Sequence, residues 1–134
     1  MAIEIRGLCP LLQVFDMQRS IQFYCDVLGF TIARRSDPPN ELWWTLLERG
    51  DAELMLNAAY ESGARPAVPD PARVAAHVDA ALYFGCPDVD GAYAELQHHG
   101  VEAEAPFVQS YGMKQLYLKD PDGYTICLQW PDAP

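Results

Sequence analysis

The side chains best able to hold a metal or attack a substrate are four cysteines, Cys9, Cys25, Cys86 and Cys127, and three histidines, His77, His98 and His99. Their spacing argues against both roles. There is no CxxC pair and no zinc-type spacing, and no cysteine has an evident histidine partner to take its proton. A GxSxG nucleophile elbow and a glycine-rich phosphate loop are also missing, which leaves Tyr and Glu as the acid–base candidates. The better-supplied chemistry is non-covalent. Seven Tyr, three Trp and five Phe offer flat faces for stacking, and Gln and Asn amides can orient the polar edges of a planar ligand.

Such side chains need a scaffold, and the chain carries the same string of elements twice. Leu46, Leu54 and Leu56, around the turn Arg49-Gly50-Asp51, recur at an offset of 72 residues as Leu118, Ile126 and Leu128 around Asp120-Pro121-Asp122-Gly123. The same offset carries Asp16 onto Asp88. After Asp16, the residues Met17, Ile21, Tyr24 and Leu28 fall at i, i+4, i+7 and i+11, one face of a helix capped by Asp16 and stopped at Gly29. After Asp88, Val89, Ala92, Tyr93 and Leu96 do the same up to Gly100. His98 and His99 then fall in the last turn, where positive charge is tolerated, as solvated side chains.

A β-like run precedes each helix, at 8–15 and 81–86, and an extended segment and a hairpin follow. Pro at the second and Gly at the fourth place of Asp120-Pro121-Asp122-Gly123 suit a type I turn. Each module therefore reads β-α-β-β-β, with module one over 8–57 and module two over 80–130. The Ala- and Pro-rich stretch 58–79 is the linker. Pro66, Pro69 and Pro71 forbid a long helix or central strand there. A loop of that length is a candidate lid, and His77 within it is expected to be exposed.

The 134 residues, 50% apolar and 21% charged, predict one folded domain over 1–134. No apolar stretch is long enough to span a bilayer, and Met1-Ala2-Ile3-Glu4-Ile5-Arg6 is not a cationic end followed by an apolar segment. The expectation is a cytoplasmic protein with free thiols and no membrane partner. A net charge of −10 opposes nucleic-acid binding and steers cations inward. The apolar run Leu42 to Leu47 predicts sheet surface that needs cover, hence a homodimer.

The opening Pro10-Leu11-Leu12-Gln13-Val14-Phe15-Asp16, followed by Ser20 and Phe23-Tyr24-Cys25-Asp26-Val27-Leu28-Gly29-Phe30, resembles the start of the glyoxalase, bleomycin-resistance and extradiol-dioxygenase superfamily. Tyr111-Gly112 and Asp120-Pro121-Asp122-Gly123-Tyr124 resemble its close. The resemblance covers nearly the whole chain. It implies an α+β fold: two βαβββ modules forming a curved mixed sheet around a central cleft, the vicinal oxygen chelate fold. In metal-using members one ligand comes from the first and one from the last strand of each module. Those positions align with Cys9, Met55, Ala81 and Cys127, none of which is the His, Gln or Glu of the enzymes. A hard divalent cation gains nothing from a thioether or a methyl group, so the resemblance implies neither metal nor other cofactor here.

Residues sharing strand parity with those positions are expected to face the cleft. Parity marks Gln13, Met55, Asn57, Tyr83, Cys127 and Gln129, with Leu11 and Thr125 alongside; on the third strand of each module the resemblance implies Trp43 and Thr45, then Gln115 and Tyr117, and Tyr111 completes the candidate ligand-binding set. A register error of one residue would substitute Trp44 and Leu116. Glu53 shares parity with Met55, although a hairpin carboxylate is more often a solvated surface group. Tyr111, before Gly112, matches the place where drug-binding members carry an aromatic against the ligand. The implied function is metal-independent binding of a small, planar organic compound, cationic or aromatic, in the manner of antibiotic-resistance proteins that sequester bleomycin. The alternative is a lyase, isomerase or dioxygenase with an atypical or absent metal site.

Overall fold

Asp16 caps helix α1 (Met17–Gln22), its carboxylate accepting from the Arg19 backbone N–H at 3.2 Å. Asp88 caps α3 (Val89–His98), accepting from the Gly91 N–H at 2.9 Å. A Cβ at Gly91 would fall 2.2 Å from the Asp88 carboxylate, so the cap requires glycine there. The first helix is not uniform to Gly29. It widens after Gln22 into a π-helical turn, Phe23–Val27, where Leu28 N donates to Phe23 O at 3.2 Å.

The computed structural model describes residues 2–36, 43–61 and 63–132. The chain divides into two compact units, 1–65 and 66–134, with the boundary inside the expected linker. Unit one holds β1 (Leu11–Val14), β2 (Thr31–Arg35), β3 (Trp44–Arg49) and β4 (Ala52–Ala58) in the order β1-β4-β3-β2. Unit two repeats the order as β5-β8-β7-β6, from β5 (Ala81–Gly85), β6 (Phe107–Val108), β7 (Met113–Lys119) and β8 (Thr125–Pro131). In both, the first strand lies parallel to the last and the other pairings are antiparallel. These are two four-stranded mixed sheets with helices, an α+β fold.

Alternation along the strands sorts the side chains. In unit one Leu12, Val14, Thr45, Leu47, Leu54 and Leu56 are buried with Met17, Ser20 and Tyr24 of the helix, and Thr45 Oγ1 donates to Met17 Sδ at 3.8 Å. In unit two Leu116, Leu118, Ile126 and Leu128 are buried with Val89 and Leu96. Burying a leucine of this kind contributes roughly 1.5–3 kcal/mol. The opposite face of each sheet is left for other uses.

Two expectations need correction. The first strand begins at Leu11 instead of residue 8, because Pro10 has no N–H for the ladder; its carbonyl still accepts from Met55 N at 2.8 Å. The linker, where prolines bar a long helix, carries a short one, α2 (Pro71–Ala76), with Pro71 in its first turn and the Asp70 carboxylate accepting from Ala72 N at 3.0 Å. His77 is half-buried, not exposed. It stacks on Tyr124 at 3.9 Å and 9°, and its Nδ1 donates to the Asp122 carbonyl at 2.7 Å. Gly123 lies below α2 with φ +84°, and a Cβ there would meet Val74 at 3.1 Å. The end of the linker is thus docked on the 120–124 turn. Leu42, at the start of the expected apolar run, falls outside the described residues.

Candidate functional site

The face of the second sheet that turns away from α3 carries three rungs set by strand register. Gln115, Gln129 and Gly85 form one; Tyr117, Cys127 and Tyr83 form the next; Lys119, Thr125 and Ala81 form the third. Tyr111 joins from the β6–β7 turn, which Gly112 closes at φ +89°. Parity therefore holds in this module: Tyr83, Gln115, Tyr117, Cys127 and Gln129 share a face.

These side chains are joined by hydrogen bonds. Gln115 is almost fully buried, at 3% exposure, and its Oε1 accepts from Tyr111 at 3.0 Å and from Tyr117 at 3.2 Å. Its Nε2 donates to Gln129 Oε1 at 2.8 Å. Tyr83 and Tyr117 meet through their hydroxyls at 3.0 Å, with the rings edge-to-face. The rings of Tyr111 and Tyr83 stay open to solvent, 66% and 52% exposed. The result is an aromatic surface whose polar ends are fixed from below by one amide. Lys119 bounds it on the far rung, donating to Thr125 Oγ1 at 2.7 Å.

Two groups on this face hold their protons firmly. The bond to Tyr83, and then desolvation, push the Tyr117 phenol up from its ordinary range. Burial pushes the Cys127 thiol up, partly offset by a hydrogen bond from Tyr117. Neither group is supplied as an anion at neutral pH, so the face offers hydrogen bonds and stacking and no ready nucleophile.

Unit one has a smaller counterpart. Gln13 and Asn57 pair in the β1–β4 register, Asn57 Nδ2 donating to Gln13 Oε1 at 3.1 Å. On β3 the phase differs from expectation by one residue. Trp44 lies opposite Asn57 and Leu46 opposite Met55, while Thr45 turns to the helix. Trp43 precedes the strand and is 39% exposed. The members of this face are therefore Trp44, the register alternative, and Leu46, which lies outside the expected set. Glu53 is exposed, and its charge together with burial raises the Cys9 thiol.

The four positions aligned with the family's metal ligands do not form a donor set for a hard cation. Cys9 stands outside β1 with a raised thiol pKa, Met55 brings a thioether, Ala81 a methyl group, and Cys127 a buried, protonated thiol. All four cysteines are free, and among the described residues no three His, Cys, Asp or Glu converge. Excess EDTA is expected to leave the melting temperature unchanged, and Zn, Mn or Fe(II) at 10-fold excess, roughly the range in which a site of micromolar Kd would respond, should not raise it. A saturable rise with any of them would reinstate a metal site.

A family profile described as the Glyoxalase/Bleomycin resistance protein/Dioxygenase superfamily matches residues 8–128. The chain is 34% identical over 115 residues to the uncharacterized protein YaeR of Escherichia coli (strain K12), covering 83% of this chain and 84% of that one. It is 28% identical over 116 residues to catechol-2,3-dioxygenase of Bacillus subtilis (strain 168), covering 86% of this chain but only 38% of the enzyme. Among solved structures, a bleomycin-binding protein in complex with bleomycin superposes with a TM-score of 0.69 at 24% identity, covering 96% of this chain and all (100%) of that one. No helix among the described residues is long and apolar enough to cross a membrane.

Proposed function

The chain belongs to the glyoxalase/bleomycin resistance protein/dioxygenase superfamily, and from that membership we propose that it binds a small, planar organic compound without a metal, as a cytoplasmic sequestering protein. The observation that carries this reading is the convergence of Tyr111, Tyr117 and Gln129 on the buried amide of Gln115. A buried side chain that orients exposed aromatic rings is a preorganised surface, and preorganisation is where affinity for small ligands is gained. The likeness to a bleomycin-binding protein supports the same class of ligand.

The binding surface of this reading is Tyr83, Tyr111, Gln115, Tyr117, Cys127 and Gln129 in unit two; Gln13, Met55, Asn57 and Trp44, with Trp43 at the head of β3, make a separate candidate surface on unit one. 9-Aminoacridine, a planar fluorescent cation, is a suitable probe. Tyr111→Ala should weaken its binding by about 1 to 3 kcal/mol, roughly five- to 150-fold in Kd, with the melting temperature held because Tyr111 is exposed. Unchanged affinity, read by fluorescence anisotropy, would remove Tyr111 from the site.

A second reading, an enzyme of the lyase, isomerase or dioxygenase kind, draws on the likeness to catechol-2,3-dioxygenase. The donor set at residues 9, 55, 81 and 127 weighs against it. The proposal includes a homodimer, supported by the exposed apolar side chains Ile3, Ile5, Leu8 and Leu11 beside the edge strand β1. Light scattering should give about twice the chain mass; a monomer at micromolar concentration would contradict this part.

A further inference from the structure

Counting protons through the tyrosine network fixes what the face can offer a ligand. A phenol has one proton to donate. Tyr111 spends its proton on Gln115 Oε1, and its oxygen retains accepting capacity. The single Tyr117 proton has three acceptors in reach, Gln115 Oε1, the Tyr83 hydroxyl and the Cys127 sulfur, and across the 3.0 Å between Tyr83 and Tyr117 either hydroxyl can donate. The Tyr83–Tyr117 pair can therefore turn a donor or an acceptor to a ligand, while Tyr111 offers only its oxygen.

Gln129 has the reverse polarity. Its Oε1 is occupied by Gln115 Nε2, and its own Nε2 has no partner among the described residues. The neighbouring position on that rung is Gly85, against which the Trp130 ring packs, 3.5 Å from where a Cβ would stand. A ligand laid across the rungs therefore meets an acceptor at Tyr111 and a donor at Gln129.

We infer that the face selects ligands that present N–H donors, aromatic amines, ammonium groups or amidines, to the Tyr111 oxygen and a carbonyl-type acceptor to Gln129. This rests on the binding reading above and specifies its ligand class. The net charge of −10 favours the protonated form of such ligands. A group that can only accept would find no proton to take at Tyr111, and the unsatisfied polar pair would oppose binding.

The test separates hydrogen-bond donation from charge and from stacking. The probes are 2-naphthylmethylammonium and its N,N,N-trimethyl analogue, which share ring and charge and differ in N–H groups. Calorimetry on the wild-type chain should show the ammonium binding about tenfold or more tightly, since hydrogen bonds to a charged donor are the strong ones. Tyr111→Phe keeps the ring, deletes that acceptor oxygen, and should lower affinity for the ammonium by a larger factor than for the trimethyl probe, narrowing the gap between them. Equal affinities, or tighter binding of the trimethyl probe, would overturn the donor inference and leave the binding reading standing. Binding of neither probe, nor of 9-aminoacridine, would overturn both.

Discussion

Tyr24→Ala is expected to lower the unfolding free energy by about 3–5 kcal/mol, the range for truncating a buried aromatic. Tyr24 is 0% exposed and packs edge-to-face against Phe23 at 5.2 Å and Phe30 at 5.9 Å. It sits on the π-helical turn whose carbonyl receives Phe30 N at 2.9 Å, so its ring joins the end of the helix to the start of β2. Truncation removes both ring contacts and leaves a cavity in a close-packed core, where collapse around the hole is incomplete. Urea unfolding followed by circular dichroism checks this. A loss under about 1 kcal/mol would mean that the core does not close on Tyr24.

The second large effect is expected at a turn instead of a core. The Asp120 carboxylate, buried at 5% exposure, accepts from the backbone N–H groups of Asp122 and Tyr124, each at 2.9 Å. Asp120→Ala leaves those two donors without their acceptor, at about 1–3 kcal/mol each, so a total loss of roughly 2–4 kcal/mol is expected once some rehydration is allowed. The same turn supplies the Asp122 carbonyl to His77 and the Tyr124 ring on which His77 stacks. Loosening it should therefore also release α2, seen as faster amide exchange over 71–79 in the variant. Asp120→Asn, which keeps an acceptor oxygen, should recover much of the loss. Equal damage from both substitutions would argue that the charge, and not the paired acceptor, matters.

The residues that announce their own geometry are the ones that could be read in advance. Asp16 and Asp88 are caps by chemistry, Asp120-Pro121-Asp122-Gly123 is a turn by chemistry, and the recurring Leu46, Leu54 and Leu56 mark the strand pairs. Matched strand order in the two sheets follows from that repetition. In the second module Gln115 and Tyr117 alternate with the buried Leu116 and Leu118, so the pleat fixes which pair shares the free face.

Trp43-Trp44-Thr45-Leu46-Leu47 has no such alternation. Every residue but Thr45 is apolar, and Thr45 is the one that turns inward, held by its hydroxyl on Met17. Phase there is decided by packing against the helix, which a strand pattern does not contain. Pro71 bars a long helix or a central strand in the linker, and after Asp70 it occupies a place where a short helix accepts proline. The links from Tyr111 and Tyr117 to Gln115 depend on the turn at Gly112 bringing two segments together, and no spacing rule gives that distance.

The central claim is that a small organic ligand lies on the tyrosine face of the second sheet. Its most direct test is a titration of protein carrying ring-13C-labelled tyrosine with 9-aminoacridine, followed by two-dimensional NMR. The ring signals of Tyr83, Tyr111 and Tyr117 should shift together along one saturable curve, while those of the buried Tyr24 and Tyr124 hold their positions. Saturable binding that leaves these three signals in place, or that moves only other tyrosines, would contradict the account.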